Sequence, residues 1–191
     1  MTHDPLTIRR LAPELRDDFL AFFEGPAFAD NPKWKSCFCQ FLHVDHAKVA
    51  WSARTADENR ASACDRIACR RMQGLLAYRD GKAVGWCNAA PRVLLDAYAD
   101  EPIADADEVG QIACFVVARE HRRSGVARRL LEEACAMLRD QGLRIAEANP
   151  SRDAATDGEN HYGPLALYLS CGFSIVREQD DGLIVVRRPL V

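Results

Sequence analysis

The chain has little of what marks an exported, membrane-spanning or nucleic-acid-binding protein. Its start, MTHDPLTIRRL, carries an acid early and no apolar core of signal-peptide length. No apolar run approaches the roughly 20 residues that cross a bilayer. Neither charge sign dominates. With 25 Lys and Arg against 28 Asp and Glu, the formal net charge of −3 offers no overall field for nucleic acid or anionic lipid. Internal repeats and low-complexity tracts are lacking too. The expectation is a cytoplasmic protein whose partner is a small molecule or a peptide, with no nucleic acid and no membrane.

What is present suits one ordinary globular unit. At 191 residues, 48% hydrophobic and 28% charged, the chain is expected to form a single domain, 1–191, around one sizeable core. Cysteine is plentiful at eight, yet without an export signal disulfides are not implied, and most of the cysteines fall in apolar patterns where they act as small hydrophobes. Cys37 and Cys39 with His43 and His46 can be drawn as a zinc site, but the spacing matches neither CxxC nor HxxxH. Alternation in SCFCQFL instead puts Cys37, Cys39 and Phe41 on one face of a strand, if this is a strand, and no metal is expected.

Along the chain, residues 6–13 alternate enough for an opening strand. A helix over 13–23 follows, with Leu15, Phe19, Phe22 and Phe23 at helical spacing. Residues 24–52 show no clear period, and their aromatics Trp34, Phe38, Phe41 and Trp51 are read as core before they are read as substrate contacts. Thr55 and Glu58 form a TxxE capping box ahead of a helix that ends at Gly74. Strands over 75–79 and 83–89 flank Asp80-Gly81, a strong hairpin signal, and Pro91 stops the ladder. The connection 92–108, a short helix or loop, holds Asp96, Asp100, Glu101, Asp105, Asp107 and Glu108 with no lysine or arginine after Arg92. It reads first as a solvated loop and second as a device steering a cationic amine. Val126, Leu130, Leu131, Ala134, Met137 and Leu138 stripe a helix that ends at Gly142. A buried strand over 143–148, a polar loop over 151–163, a helix over 164–170 and a hairpin of 173–178 with 183–188 complete the chain.

The most informative stretch is IACFVVAREHRRSGVARRLL, residues 112–131: an apolar run, then RxxGxA (Arg122, Gly125, Ala127), then helical periodicity. A strand entering a helix through a glycine turn leaves unpaired N–H groups at the helix start, where an anion can sit. Neither a GxxxxGK[ST] loop nor a GxGxxG fingerprint occurs in this turn, which removes two other nucleotide-phosphate devices.

RxxGxA in this setting resembles the [QR]xxGx[GA] signature of the GNAT superfamily of acyl-CoA-dependent N-acyltransferases. Two further stretches resemble it in the same order: GLLAYRDGKAVGWCNAAPR (74–92) is similar to the central hairpin, and Tyr168-Leu-Ser-Cys-Gly172-Phe173 matches YxxxGF. The resemblance covers about residues 6–190. It implies a mixed α/β fold with a central, mostly antiparallel sheet of about seven strands, splayed between strands 4 and 5 and flanked by helices. It further implies acetyl transfer from acetyl-CoA, as co-substrate, to a primary amine, without metal, and leaves a homodimer open.

The site residues follow from the same resemblance. The amides of 123–128, hence Arg123, Ser124, Gly125, Val126, Ala127 and Arg128, are expected on the pyrophosphate, with Arg122, Arg123 and Arg128 adding charge. Phe115, Val116 and Val117 are expected to pair with pantetheine, the Phe115 N–H polarising the thioester carbonyl. Tyr168 matches the general acid that protonates the CoA sulfur; the plainer alternative is a core tyrosine. Gln111 stands where some members carry a basic glutamate, and it can orient a water. Glu147, ahead of Glu108, is the candidate base, its alternative role being a partner for an arginine. Cys114 as an acyl-accepting nucleophile is the weaker option, since no histidine adjoins it in sequence and the family transfers directly. The missing carboxylate at Gln111 also keeps open a non-catalytic acyl-CoA sensor, and the zinc-assisted enzyme stands third.

Overall fold

A computed structural model describes the protein over residues 5–101, 103–152 and 159–191. Seven strands form one sheet in the order β1-β2-β3-β4-β5-β7-β6. They are β1 (Thr7–Arg10), β2 (Gly74–Arg79), β3 (Lys82–Pro91), β4 (Val109–Val117), β5 (Ile145–Ala148), β6 (Ser174–Glu178) and β7 (Ile184–Pro189). Every neighbouring pair is antiparallel except β4 with β5. The parallel pair needs a crossover, which α3 (Val126–Asp140) supplies. The expected mixed, mostly antiparallel sheet of seven strands is present.

Local signals account for the elements that position the site. Asp80 and Gly81 both take positive φ, 49° and 71°, the twist a two-residue hairpin needs between β2 and β3. Thr55 and Glu58 close a reciprocal capping box at the start of α2 (Ala56–Ala68). That helix stops short of the expected Gly74, because Arg70 turns left-handed (φ 58°) and the amides of Arg71 and Met72 fold back onto the Arg66 carbonyl. All six residues of the stripe read on α3 are buried, against β2, β3 and β4. Glycine lets the helix come close: a Cβ at Gly110 would stand 2.7 Å from the Leu138 methyls.

Two apolar layers sandwich the sheet. One joins α3 and α4 (Leu165–Ser170) through Leu130, Leu131, Leu138, Tyr168 and Phe173. The other, under α1 (Arg16–Glu24) and α2, is aromatic: Phe19, Phe22, Phe23 and Phe38 gather around the fully buried Trp86. Phe19 stacks on Phe23 at 4.4 Å and meets the Trp86 ring edge-on at 5.0 Å.

The 37–41 strand is not formed. A 3-10 turn covers Pro32–Cys37, and Phe38 and Cys39 both adopt left-handed backbone (φ 43° and 55°), which breaks the alternation. Cys37, Cys39 and Phe41 therefore share no strand face. Residues 92–108 resolve, over the described positions, into short 3-10 turns at Arg92–Leu94, Asp96–Tyr98 and Ala106–Glu108. Residues 153–158 of the polar 151–163 loop lie outside the described residues.

Candidate active site

The site begins where β4 outruns its parallel neighbour. β5 pairs with β4 only from Val109 to Ile112 and ends at Ala148, while β4 continues to Val117. The Ala118 amide donates to Val84 O at 3.0 Å, and the register runs Trp86 to Val116 and Cys87 to Phe115. By antiparallel alternation, Val116 then bonds to β3, and the amides and carbonyls of Phe115 and Val117 face the opposite side, where no strand pairs with them among the described residues. The sheet carries an open slot with backbone donors along one wall.

Just beyond lies the turn. The helix cap is Gly125, at φ 84°, and a Cβ there would meet nothing within 4 Å. No side chain caps α3 and no acid occupies its first turn. The first intrahelical bond is Arg129 N to Gly125 O at 3.1 Å, which leaves the amides of Val126, Ala127 and Arg128 as orphan donors. Arg123 (φ 60°) is left-handed as well, and Ser124 Oγ donates to His121 O at 2.7 Å, fixing the bend.

The arginines divide their work. Arg122 donates through Nε to Val117 O at 3.0 Å and makes a two-pronged pair with Asp30 at 2.6 and 3.0 Å. That guanidinium holds Asp30 below the usual carboxylate range. Arg128 reaches back to Ser170 Oγ (2.7 Å) and Cys171 Sγ (3.2 Å), tying α3 to the end of α4. Asp30 is a residue that sequence reasoning passed over: it meets a partner 92 positions away, inside an aperiodic stretch.

A cavity of about 770 Å³ runs along this wall, lined by Phe115, Val116, Val117, Arg122, Arg123, Gly125, Val126, Ala127 and Arg128. These are nine of the ten residues expected to hold the co-substrate; Ser124 alone of the ten is not in the lining. A second cavity of about 460 Å³ adjoins it, and Phe28, Lys33, Trp34, Val116 and His161 line both. His161 rests against Trp34 with ring centres 4.8 Å apart. Nothing in the sequence singled it out.

The expected catalytic residues lie elsewhere or are engaged. Tyr168 is wholly buried and its hydroxyl donates to Tyr162 O at 2.6 Å; burial pushes it well above the ordinary phenol range. Glu147, 4% exposed, accepts from Arg92 at 3.2 Å and from Arg187 at 2.6 Å, and Arg187 also pairs with Asp105 at 2.6 Å. Gln111 accepts from Arg92 (3.2 Å) and donates to Asn149 Oδ1 (2.8 Å). Neither residue lines either cavity. Both oxygens of Glu147 are thus occupied, as a partner for arginine would have them. Glu108 is half-exposed, 3.9 Å from Arg144, and outside both linings.

Cys114 is not arranged for nucleophilic attack. Cys114 lines the second cavity, but its hydrogen bond to Cys39, together with burial, raises its thiol well above the ordinary range. His43 turns to Asn88, with Nε2 3.1 Å from Nδ2, and His46 bonds to Phe41 O at 2.9 Å. Among the described residues no group of three or more Cys, His, Asp or Glu side chains is placed to hold a metal. Three carboxylates of the acidic connection are paired: Asp96 with Arg66 at 2.8 Å, Asp105 with Arg187 and Glu101 with Arg92 at 3.4 Å. No described helix is long and apolar enough to cross a membrane.

An open slot beside a central strand, leading to an uncapped helix start, defines the acyltransferase class, and the comparisons agree. The profile of the Acetyltransferase (GNAT) family matches residues 14–173, and the chain belongs to that family. Among solved structures it is similar to an acetyltransferase of the GNAT family from Streptococcus pneumoniae (18% identity, TM-score 0.59, covering 97% of this chain and 99% of that one). It is also similar to yncA, a putative acetyltransferase from Salmonella typhimurium solved with acetyl-CoA (14% identity, TM-score 0.60, 98% and 95% covered). A third likeness is paia N-acetyltransferase from Thermoplasma acidophilum in complex with coenzyme A (14% identity, TM-score 0.58, 97% and 99% covered). No curated protein matches the chain at a significant level.

Proposed function

We propose that the protein transfers the acetyl group of acetyl-CoA directly to a primary amine of a small molecule or peptide in a ternary complex, in the cytoplasm. The observation that carries this reading is the alignment of two donor sets, the outward amides of Phe115 and Val117 and the orphan amides of 126–128, along one cavity. The diphosphate sits on the α3 start, with Gly125 admitting it and Arg123 and Arg128 adding charge. Pantetheine continues the sheet in the slot beside Phe115, Val116 and Val117, and the Phe115 N–H meets the negative charge that develops on the carbonyl oxygen. One such donor is worth on the order of a hundredfold in rate.

In the transfer the amine nitrogen bonds to the acetyl carbon, the carbon–sulfur bond breaks, the amine loses a proton and the sulfur gains one. Tyr168 is assigned the donation to sulfur, its hydroxyl donating to Tyr162 O at 2.6 Å in this structure. Gln111 and Glu147 are assigned to support: they lock Arg92, Arg187 and Asn149 and hold open the end of β5. A second reading, an acyl-CoA sensor without turnover, draws on the cavity linings, which among the described residues contain no free carboxylate, Asp30 being tied to Arg122. CoA release across an amine panel separates the two. Turnover that falls ten- to a hundredfold in Tyr168→Phe with acetyl-CoA affinity kept supports transfer; tight binding with no release and no effect of the variant supports the sensor.

A further inference from the structure

The second cavity has walls of an unusual kind for a site that receives an amine. Phe23, Phe28, Trp34, Phe41, Trp51 and Tyr162 supply them, and among the described residues its lining contains no aspartate or glutamate. Phe41 and Trp51 meet edge to face at 5.2 Å at the outer end, and Phe41 is 39% exposed. The lining carries one lysine, Lys33, which repels positive charge. Ring faces accommodate a single ammonium, but the further charges of a polyamine or aminoglycoside would meet no carboxylate there.

Asn88 adds a polar handle at the floor. It is fully buried and lines the cavity; its Nδ2 donates to Cys39 Sγ at 3.3 Å and lies 3.1 Å from His43 Nε2, while its Oδ1 has no hydrogen-bond partner. A buried carbonyl oxygen without a donor is costly unless a ligand supplies one. His43 is neutral at working pH, since burial lowers it to about 4, so in the tautomer with its proton on Nδ1 the ring accepts from Nδ2 and keeps Oδ1 turned away from itself. Across the sheet Asn88 is registered opposite Cys114, one residue from Phe115.

Resting on the acetyl-transfer reading above, we infer that the acceptor is a monoamine carried on an aromatic group. Its ring packs among Trp34, Phe41 and Trp51, with its nitrogen toward the Asn88 end of the cavity. Volume agrees: about 460 Å³ lies within the range of small-molecule sites. None of the carboxylates of the acidic connection is in either cavity lining, and Asp96, Glu101 and Asp105 are held by Arg66, Arg92 and Arg187, so the connection is given no part in selection.

The test uses the full chain, with and without saturating CoA, and two probes, 2-phenylethylamine and spermidine. Calorimetry reads binding, and CoA release from acetyl-CoA reads transfer. The expected result is saturable binding of 2-phenylethylamine and a kcat/KM at least tenfold above that for spermidine. Phe41→Ala and Trp51→Ala, both at the open end, should each raise KM for 2-phenylethylamine about tenfold while leaving acetyl-CoA affinity unchanged. Asn88→Ala should lower kcat tenfold or more, its fold checked by thermal melting against the two wall variants. Preference for spermidine, or wall variants that leave KM unmoved, overturns the inference while leaving acetyl transfer intact. Binding of 2-phenylethylamine that the wall variants weaken, with no CoA released, keeps the site and removes the transfer reading.

Discussion

Gly125 and His43 illustrate how single side chains are fixed by different physics. At Gly125 the backbone, at φ 84°, is the constraint, because the space around a Cβ is open. Gly125→Ala should therefore cost about 1–2 kcal/mol for a left-handed alanine, and by shifting the turn it should weaken acetyl-CoA at least tenfold, read by denaturant melts and calorimetry on the same preparation. At His43 the constraint is burial, reinforced by the positive charge of Arg66, and it lowers the ring to about 4. Unfolded, the ring titrates near 6.5. Between those values the unfolded chain binds a proton that the folded chain does not, so stability falls as the pH drops from about 6.5 to 4 and is insensitive to this group outside that window. The loss across the window is on the order of 3 kcal/mol. The depressed carboxyls of Asp30 and Asp105 act only below their unfolded values near 4, so the two effects separate on the pH axis. Melting temperatures of the wild type and His43→Gln over pH 4–7 should diverge in slope, the variant being flatter.

At the scale of elements, α3 and the β2–β3 hairpin were legible because their signals are local. A 3.6-residue stripe, an Asp-Gly turn and a TxxE cap are each complete within a short window. Residues 24–52 were not legible, since 3-10 turns impose no lasting period and nothing in Phe38 or Cys39 announces a left-handed backbone. Glu147 shows a second kind of opacity. A carboxylate on a buried strand reads equally as a base or as an ion-pair partner until Arg92 and Arg187, 55 and 40 positions away, are brought against it. Glu147→Gln decides between the roles. As a partner it leaves Arg92 buried without its charge, which should lower stability by about 3–5 kcal/mol, with kcat per folded molecule within a few-fold of wild type; a base would lose activity and keep its melting point. The residues around the RxxGxA turn were legible as a class, and the 115–128 stretch does line one cavity, but the pairing of Arg122 with Asp30 lay beyond any spacing argument.

The whole molecule reads as two cavities meeting at Val116, Trp34 and His161 beneath a sheet that parts between β4 and β5. The larger is bordered by backbone donors and arginines and the smaller by rings, and in the proposed reaction the acyl group passes from one to the other at the strand between them. A ligand bound only by the native state should also raise the melting point, by an amount equivalent to about 2.7 kcal/mol at a hundredfold excess over Kd. Titration of the intact protein with CoA in a calorimeter is the most direct measurement, because the entire account requires the α3 start to hold a diphosphate. One saturable site per chain is expected, with Kd between about 1 μM and 1 mM and affinity that declines as salt rises. Absence of heat up to millimolar CoA, or binding indifferent to Gly125→Ala, would contradict it.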